Sequence, residues 1–157
     1  MLDFARHADR AIYVLIAVMA VTVALEGVED RPGKAIAYAI GTALALTLAE
    51  LFADRVGISI RSRRPATEDE IRHEYREALT GLVVVALPIS MLLLAALGVV
   101  AIDTAYVLAQ WVGFVILAIY SYVASRAGGG SRLQALVGAA ALTAIGGALI
   151  GFNALIK

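Results

Sequence analysis

The chain has 157 residues, 61% of them hydrophobic and 17% charged, with a formal net charge of zero and no cysteine. Soluble domains are roughly half apolar; here the excess lies in long uncharged runs, which makes lipid the solvent for the fold. Charge balance excludes nucleic acid as the main partner, and the lack of cysteine excludes disulfide frameworks and thiolate metal sites.

The first uncharged run, Ala11–Leu25, has 15 residues. As a helix it covers about 22 Å, short of the ~30 Å hydrocarbon core of a bilayer. It spans only with its flanks, over about 8–26. The link "EGVEDRPGK" carries the turn signal Pro32-Gly33. The second run, Ala35–Ala49, is again 15 residues, with the span placed over about 34–53. It does not end at Glu50: Leu51, Phe52 and Ala53 extend it to Asp54. Glu50 is therefore expected below the lipid surface, where a carboxylate is costly and should face the bundle interior. Ala39, Ala43, Leu46, Thr47 and Asp54 share its face. Two roles fit Glu50: a cation or proton site with Asp54 at the inner mouth of a pathway, or a buried ion pair. Arg6, Arg55, Arg126 or Arg132 could supply the positive charge, beside the hydroxyls of Tyr120, Ser121 and Tyr122.

Between the second and third runs lies the one connection long enough for structure of its own. It holds the basic run "RSRRP", with Arg61 to Arg64 placed to touch anionic lipid, and then "TEDEIRHEYRE". Thr67 and Glu70 have the spacing of a capping box, so a cytoplasmic amphipathic helix is expected over about 67–77, running on towards the third span. Glu70, His73, Glu74 and Glu77 recur at i, i+3, i+4 and i+7 on one face. Glu-x-x-His at this spacing can ligate a divalent ion such as iron, manganese or zinc. One helix cannot close the ligand shell, so a second copy, or His7 and Asp3, would complete it. The alternative is a solvated juxtamembrane helix with Glu68–Arg72 as an i,i+4 pair.

Three longer runs follow: Ala78–Ile102, Thr104–Ser125 and Leu133–Ile156, of 25, 22 and 24 residues. Each is long enough to cross, with spans over about 78–101, 104–125 and 132–156. Pro88 is expected to kink the third, Asp103 to cap the fourth, and "RAGGGSR" to turn the chain into the fifth. Small residues recur every fourth position in span two (Ala35, Ala39, Ala43; Ala37, Gly41, Ala45, Ala49) and in span five (Ala140, Ala144, Ala148; Gly147, Gly151). Such stripes let helix backbones approach closely in lipid, within one chain or between two.

The fold class read from the sequence is thus all-α: a single polytopic membrane bundle of five transmembrane helices plus the cytoplasmic helix. With five spans, the segments around Met1–Arg10, Asp54–Glu77 and Arg126–Arg132 share one side and hold ten basic residues, against Arg31, Lys34 and Lys157 on the other. Basic residues stay in the cytoplasm, so the N-terminus is expected inside, the C-terminus outside, and Glu50 and Asp54 at the cytoplasmic end. On the outer side, Glu26, Glu29, Asp30, Asp103 and Asn153 make either an acidic exit vestibule or ordinary loop charge. His7 and His73 both lie outside the spans, which excludes a buried bis-histidine haem. There is no H-E-x-x-H, no P-loop and no intramembrane catalytic pair, so an enzyme is not expected. Arginine outnumbers lysine eleven to two in an alanine-rich chain, the usage of a GC-rich bacterial genome.

"LTLAELFADRV" and "RLQALVGAAALTAIGGALIG" give the chain a resemblance. It resembles the vacuolar iron transporter family, in the ending of span two, where Glu50 matches a family glutamate, and in the Gly/Ala-rich last span. Asp9 stands near the family's span-one aspartate, but Arg10 replaces the glycine that follows it there, and the glutamate-rich cytoplasmic segment is shorter. The resemblance implies a homodimer moving Fe²⁺ or Mn²⁺ across the cytoplasmic membrane, with Glu50 and Asp54 at the gate and Glu70, His73, Glu74 and Glu77 collecting the ion. The rival expectation is a non-catalytic membrane scaffold or accessory subunit.

Overall fold

Ala11, Val14, Leu15, Val18, Met19, Thr22 and Val23 are buried, and their spacing is that of one helical face. They belong to α1 (Ala8–Leu25). Three longer helices follow: α2 (Pro32–Ser62), α3 (Glu68–Ala96) and α4 (Ile102–Ala127). A fifth, α5, is helical over 132–141. This computed structural model describes residues 8–62, 64, 67–141, 144 and 148.

The short turns set neighbours antiparallel. Gly27 after α1 and Gly98 after α3 take positive φ of 73°, a conformation that costs glycine least. Two helices each pack against three others: α1 against α2, α3 and α4, and α3 against α1, α2 and α4. The buried Thr22 hydroxyl donates to the Met19 carbonyl at 2.7 Å, so α1 carries no orphaned polar group there.

Five spans were expected. Among the described residues three helices are long and apolar enough to cross a membrane: Pro32–Ile60, Glu68–Ala96 and Ile102–Ala127. The apolar part of α1, Ala11–Leu25, falls short of that length, and most of the run from Leu133 to Ile156 lies outside the described residues. The helix expected from Thr67 runs directly into the third apolar run, as the sequence allowed, so it is not a separate element. Its residues form the first turns of α3, which continues unbroken into the apolar run. Nothing at Glu77–Ala78 interrupts i→i−4 hydrogen bonding, and polarity alone does not end a helix.

Pro88 is buried inside α3, which is helical on both sides of it. One local expectation changes. The N-cap of α4 is Ala101, which makes no side-chain cap bond. Asp103 lies in the first turn instead, where its charge faces the positive end of the helix dipole.

The two small-residue stripes of α2 divide between inside and outside. Ala35, Ala39 and Ala43 are 0–2% exposed and seat α2 on the bundle. Ala37, Gly41, Ala45 and Ala49 are exposed. In α5, Ala135 and Ala139 are buried, and a Cβ on Gly138 would come within 3.8 Å of the Ser121 hydroxyl of α4. Ala140, Ala144 and Ala148 are exposed; Gly147 and Gly151 lie outside the described residues.

Candidate functional site

The N-terminus of α3 begins with the expected capping box. The Glu70 amide donates to the Thr67 hydroxyl, and the Thr67 amide donates to the Glu70 carboxylate at 2.7 Å. Arg64 then grips the same carboxylate with two hydrogen bonds, of 2.8 and 2.9 Å. This stretch precedes Ala78, where the apolar run begins, and stands outside the hydrocarbon. The Arg64 hydrogen bonds, followed by those from Thr67, lower the Glu70 carboxyl to about 2.

His73 Nε2 lies 3.1 Å from a Glu77 carboxylate oxygen, an i,i+4 pair on the helix surface. Glu74, between them, is only 5% exposed. It begins the buried line that runs on through Ala78, Gly81 and Val85 of α3. The four residues expected to act as one chelating face therefore have three settings: a cap, a histidine–glutamate contact one turn apart, and a buried carboxylate. Among the described residues no three His, Asp or Glu side chains come together in a way that could hold a metal ion. Completion of such a site by His7 or Asp3 lies outside the described residues.

Glu50 and Asp54 are half-buried on α2, one turn apart. Arg55 reaches across to α3, where its guanidinium donates to the Tyr75 hydroxyl at 2.9 Å and stands 5.5 Å from the ring centroid. This contact brings Glu50, Asp54 and the Glu70–Glu77 segment to one end of the bundle. Tyr120 and Ser121 of α4, both buried, are near its C-terminus and so at the same end. Thr47 is 5% exposed, and its hydroxyl has no hydrogen-bond partner among the described residues. Of the arginines expected near Glu50, Arg126 donates to the Gly130 carbonyl, Arg132 is exposed, and Arg6 lies outside the described residues. Of the basic run, Arg64 is committed to Glu70; the side chains of Arg61 and Arg63 lie outside the described residues.

At the other end, two residues missed from the sequence do the joining. The Gln110 amide, 4% exposed, donates to the Glu26 carboxylate at 2.8 Å, and the Tyr106 hydroxyl donates to the Glu29 carbonyl at 2.9 Å. Glu29 also pairs with Lys34 at 3.3 Å and accepts from the Arg31 amide. Glu26 and Glu29 thus pin the α1–α2 turn onto α4. Asn153 lies outside the described residues. The only sequence signal for this lock was a glutamine within an otherwise apolar span.

No protein-family model, curated protein or solved structure matches the chain. The likeness to the vacuolar iron transporter family rests on the quoted residues alone.

Proposed function

We propose that the protein is a small integral membrane scaffold or accessory subunit that associates helix to helix in the bilayer, a second copy being its first partner. The observation that carries this reading is the commitment of the expected ligands to local structure. Glu70 is held by Thr67 and Arg64, and Glu77 by His73. The exposed face of α2 with Ala37, Gly41, Ala45 and Ala49 offers the close approach that lipid-embedded helices use. In this reading α1 and the run from Leu133 complete five crossings, with the basic segments, including the α2–α3 connection, in the cytoplasm.

Gly41 supplies the test. Among the described residues a Cβ built there meets nothing within 4 Å, so Gly41→Leu adds bulk on the open face of α2. In lipid nanodiscs of known stoichiometry, the wild type should be dimeric and Gly41→Leu monomeric with unchanged helicity. A dimer that survives Gly41→Leu, or a monomeric wild type, would sink this docking face.

A second reading, a divalent-cation transporter-like protein, is favoured by Glu74. It is a carboxylate enclosed at the same end of the bundle as Glu50 and Asp54, and buried carboxylates are expensive to keep without a purpose. Uptake of Fe²⁺ or Mn²⁺ into liposomes, lost in both Glu50→Gln and Glu74→Gln while the protein stays folded, would replace the scaffold by the transporter.

A further inference from the structure

From Lys34 to Asp54 is twenty helical steps, about 30 Å at 1.5 Å each, which matches the thickness of a hydrocarbon core. Arg55 is the first residue past that length. Tyr75 on α3 stands three residues before the apolar run that starts at Ala78. The two residues that meet here are therefore at headgroup level, where aromatic and basic anchors concentrate.

Arg55 is held in an unusual way. Its guanidinium meets the phenol of Tyr75 on α3, through a hydrogen bond to the hydroxyl and through the ring face. A neutral phenol fixes the direction of the guanidinium without cancelling its charge. The Arg55 Nε is enclosed and makes no hydrogen bond among the described residues, so further donation falls to the outer nitrogens. Arg55 also lines a shallow, open depression along the side of α2, with Val56, Ser59 and Ile60. Ser59 adds a hydroxyl one turn along the helix. Val56 and Ile60 are 41% and 72% exposed and give the hollow an apolar floor.

A planar fork of donors, a hydroxyl at helical spacing and an apolar floor at the membrane surface suit a phosphate with acyl chains attached. We propose that Arg55, oriented by Tyr75, and Ser59 seat the phosphate of an anionic phospholipid on the lipid-facing side of α2. This goes beyond the scaffold reading and rests only on its membrane-embedded part. The basic residues Arg61 and Arg63 follow in the sequence and favour a net-negative headgroup over a zwitterionic one.

The test uses the full chain, purified in mild detergent and stripped of lipid, with bound lipid counted by native mass spectrometry. Phosphatidylglycerol should bind about fivefold tighter than phosphatidylcholine, the factor expected for one basic residue at an anionic surface. Arg55→Gln should abolish that preference, Arg55→Lys keep part of it, and Tyr75→Phe and Ser59→Ala each weaken it, with helicity checked by circular dichroism. Should Arg55→Gln fail to fold, the exposed pair Ser59→Ala and Tyr75→Phe still decides the matter. Equal binding of the two lipids by the wild type, or an undiminished preference in folded Arg55→Gln or in both lesser variants, overturns the site. Inorganic phosphate that displaces the lipid at millimolar concentration overturns it too, by making the free anion the ligand. Extraction of the wild type from membranes by an alkaline wash would overturn the membrane reading itself, a failure visible before any lipid is counted.

Discussion

Glu70 shows how one side chain can be taken out of contention for metal. Its carboxylate serves the Thr67 amide and Arg64 together, and both depend on its negative charge. The carboxyl is held at about 2, below its ordinary 4.5, chiefly by Arg64. A depressed carboxyl contributes stability that is present above the ordinary value and is lost as pH falls through the folded one. The first turn of α3 should therefore stay protected at pH 5 and fray progressively from about 4.5 towards 2, which amide hydrogen exchange at Glu70 and Ile71 would report. Exchange that is flat over that range would contradict the assignment. Thr67→Ala removes the other half of the box and should cost about 1 kcal/mol, measured at neutral pH by thermal unfolding in detergent. The box was legible in the sequence because both halves lie within four residues. Ser131 and Gln134 form an equivalent box at the start of α5, where the Ser131 amide donates to the Gln134 side chain at 2.8 Å. The same pattern was present there but hidden behind a glycine run read only as a turn.

At the scale of the element, the apolar runs located the helices well, because uncharged length is a property of the chain alone. Which face of each helix turns inward was less legible, since that depends on neighbours distant in sequence. Glu74 illustrates it: the surrounding charges place it on a solvated surface, yet it is buried. Arg55 with Tyr75, and Gln110 with Glu26, join residues 20 and 84 apart, and no local pattern announces such pairs. Two glycines show how close α1 stands to its neighbours. A Cβ on Gly113 of α4 would come within 2.6 Å of the Met19 sulfur on α1, whereas one on Gly81 of α3 would meet Val14 at an ordinary 3.8 Å. Alanine gains up to about 1 kcal/mol of helix propensity over glycine, and overpacking costs about 1–3 kcal/mol. Gly81→Ala should therefore be neutral or stabilising, and Gly113→Ala should lower stability by about 1 kcal/mol after the propensity gain is set against the clash. Thermal unfolding of the two variants side by side checks the opposite signs. Equal effects would mean that the flexible Met19 side chain moves aside for the new methyl.

For the whole molecule, the number of crossings decides what the two ends of the bundle face. If α2, α3 and α4 all cross, the α1–α2 and α3–α4 turns lie on one side, and the α2–α3 connection and the α4–α5 turn on the other. The distribution of basic residues predicts that the second side is the cytoplasmic one. The chain has no cysteine, so single cysteines can report this without background. Val28 and Val99 are 75% and 65% exposed in the first pair of turns, and Ala127 is exposed at the end of α4. In intact cells a membrane-impermeant maleimide should label Val28→Cys and Val99→Cys, and reach Ala127→Cys only after permeabilisation. Lys157→Cys then addresses the fifth crossing. Labelling from outside, like Val99→Cys, means that the run from Leu133 spans. Labelling only after permeabilisation leaves α5 folded back on the cytoplasmic side against α4, near Ser121. The same sidedness bears on the proposed lipid seat, because anionic lipid is concentrated in the cytoplasmic leaflet. With Val28→Cys and Val99→Cys outside, Arg55 and Ser59 face that leaflet. The reverse labelling would put the hollow on the wrong side of the membrane for its ligand.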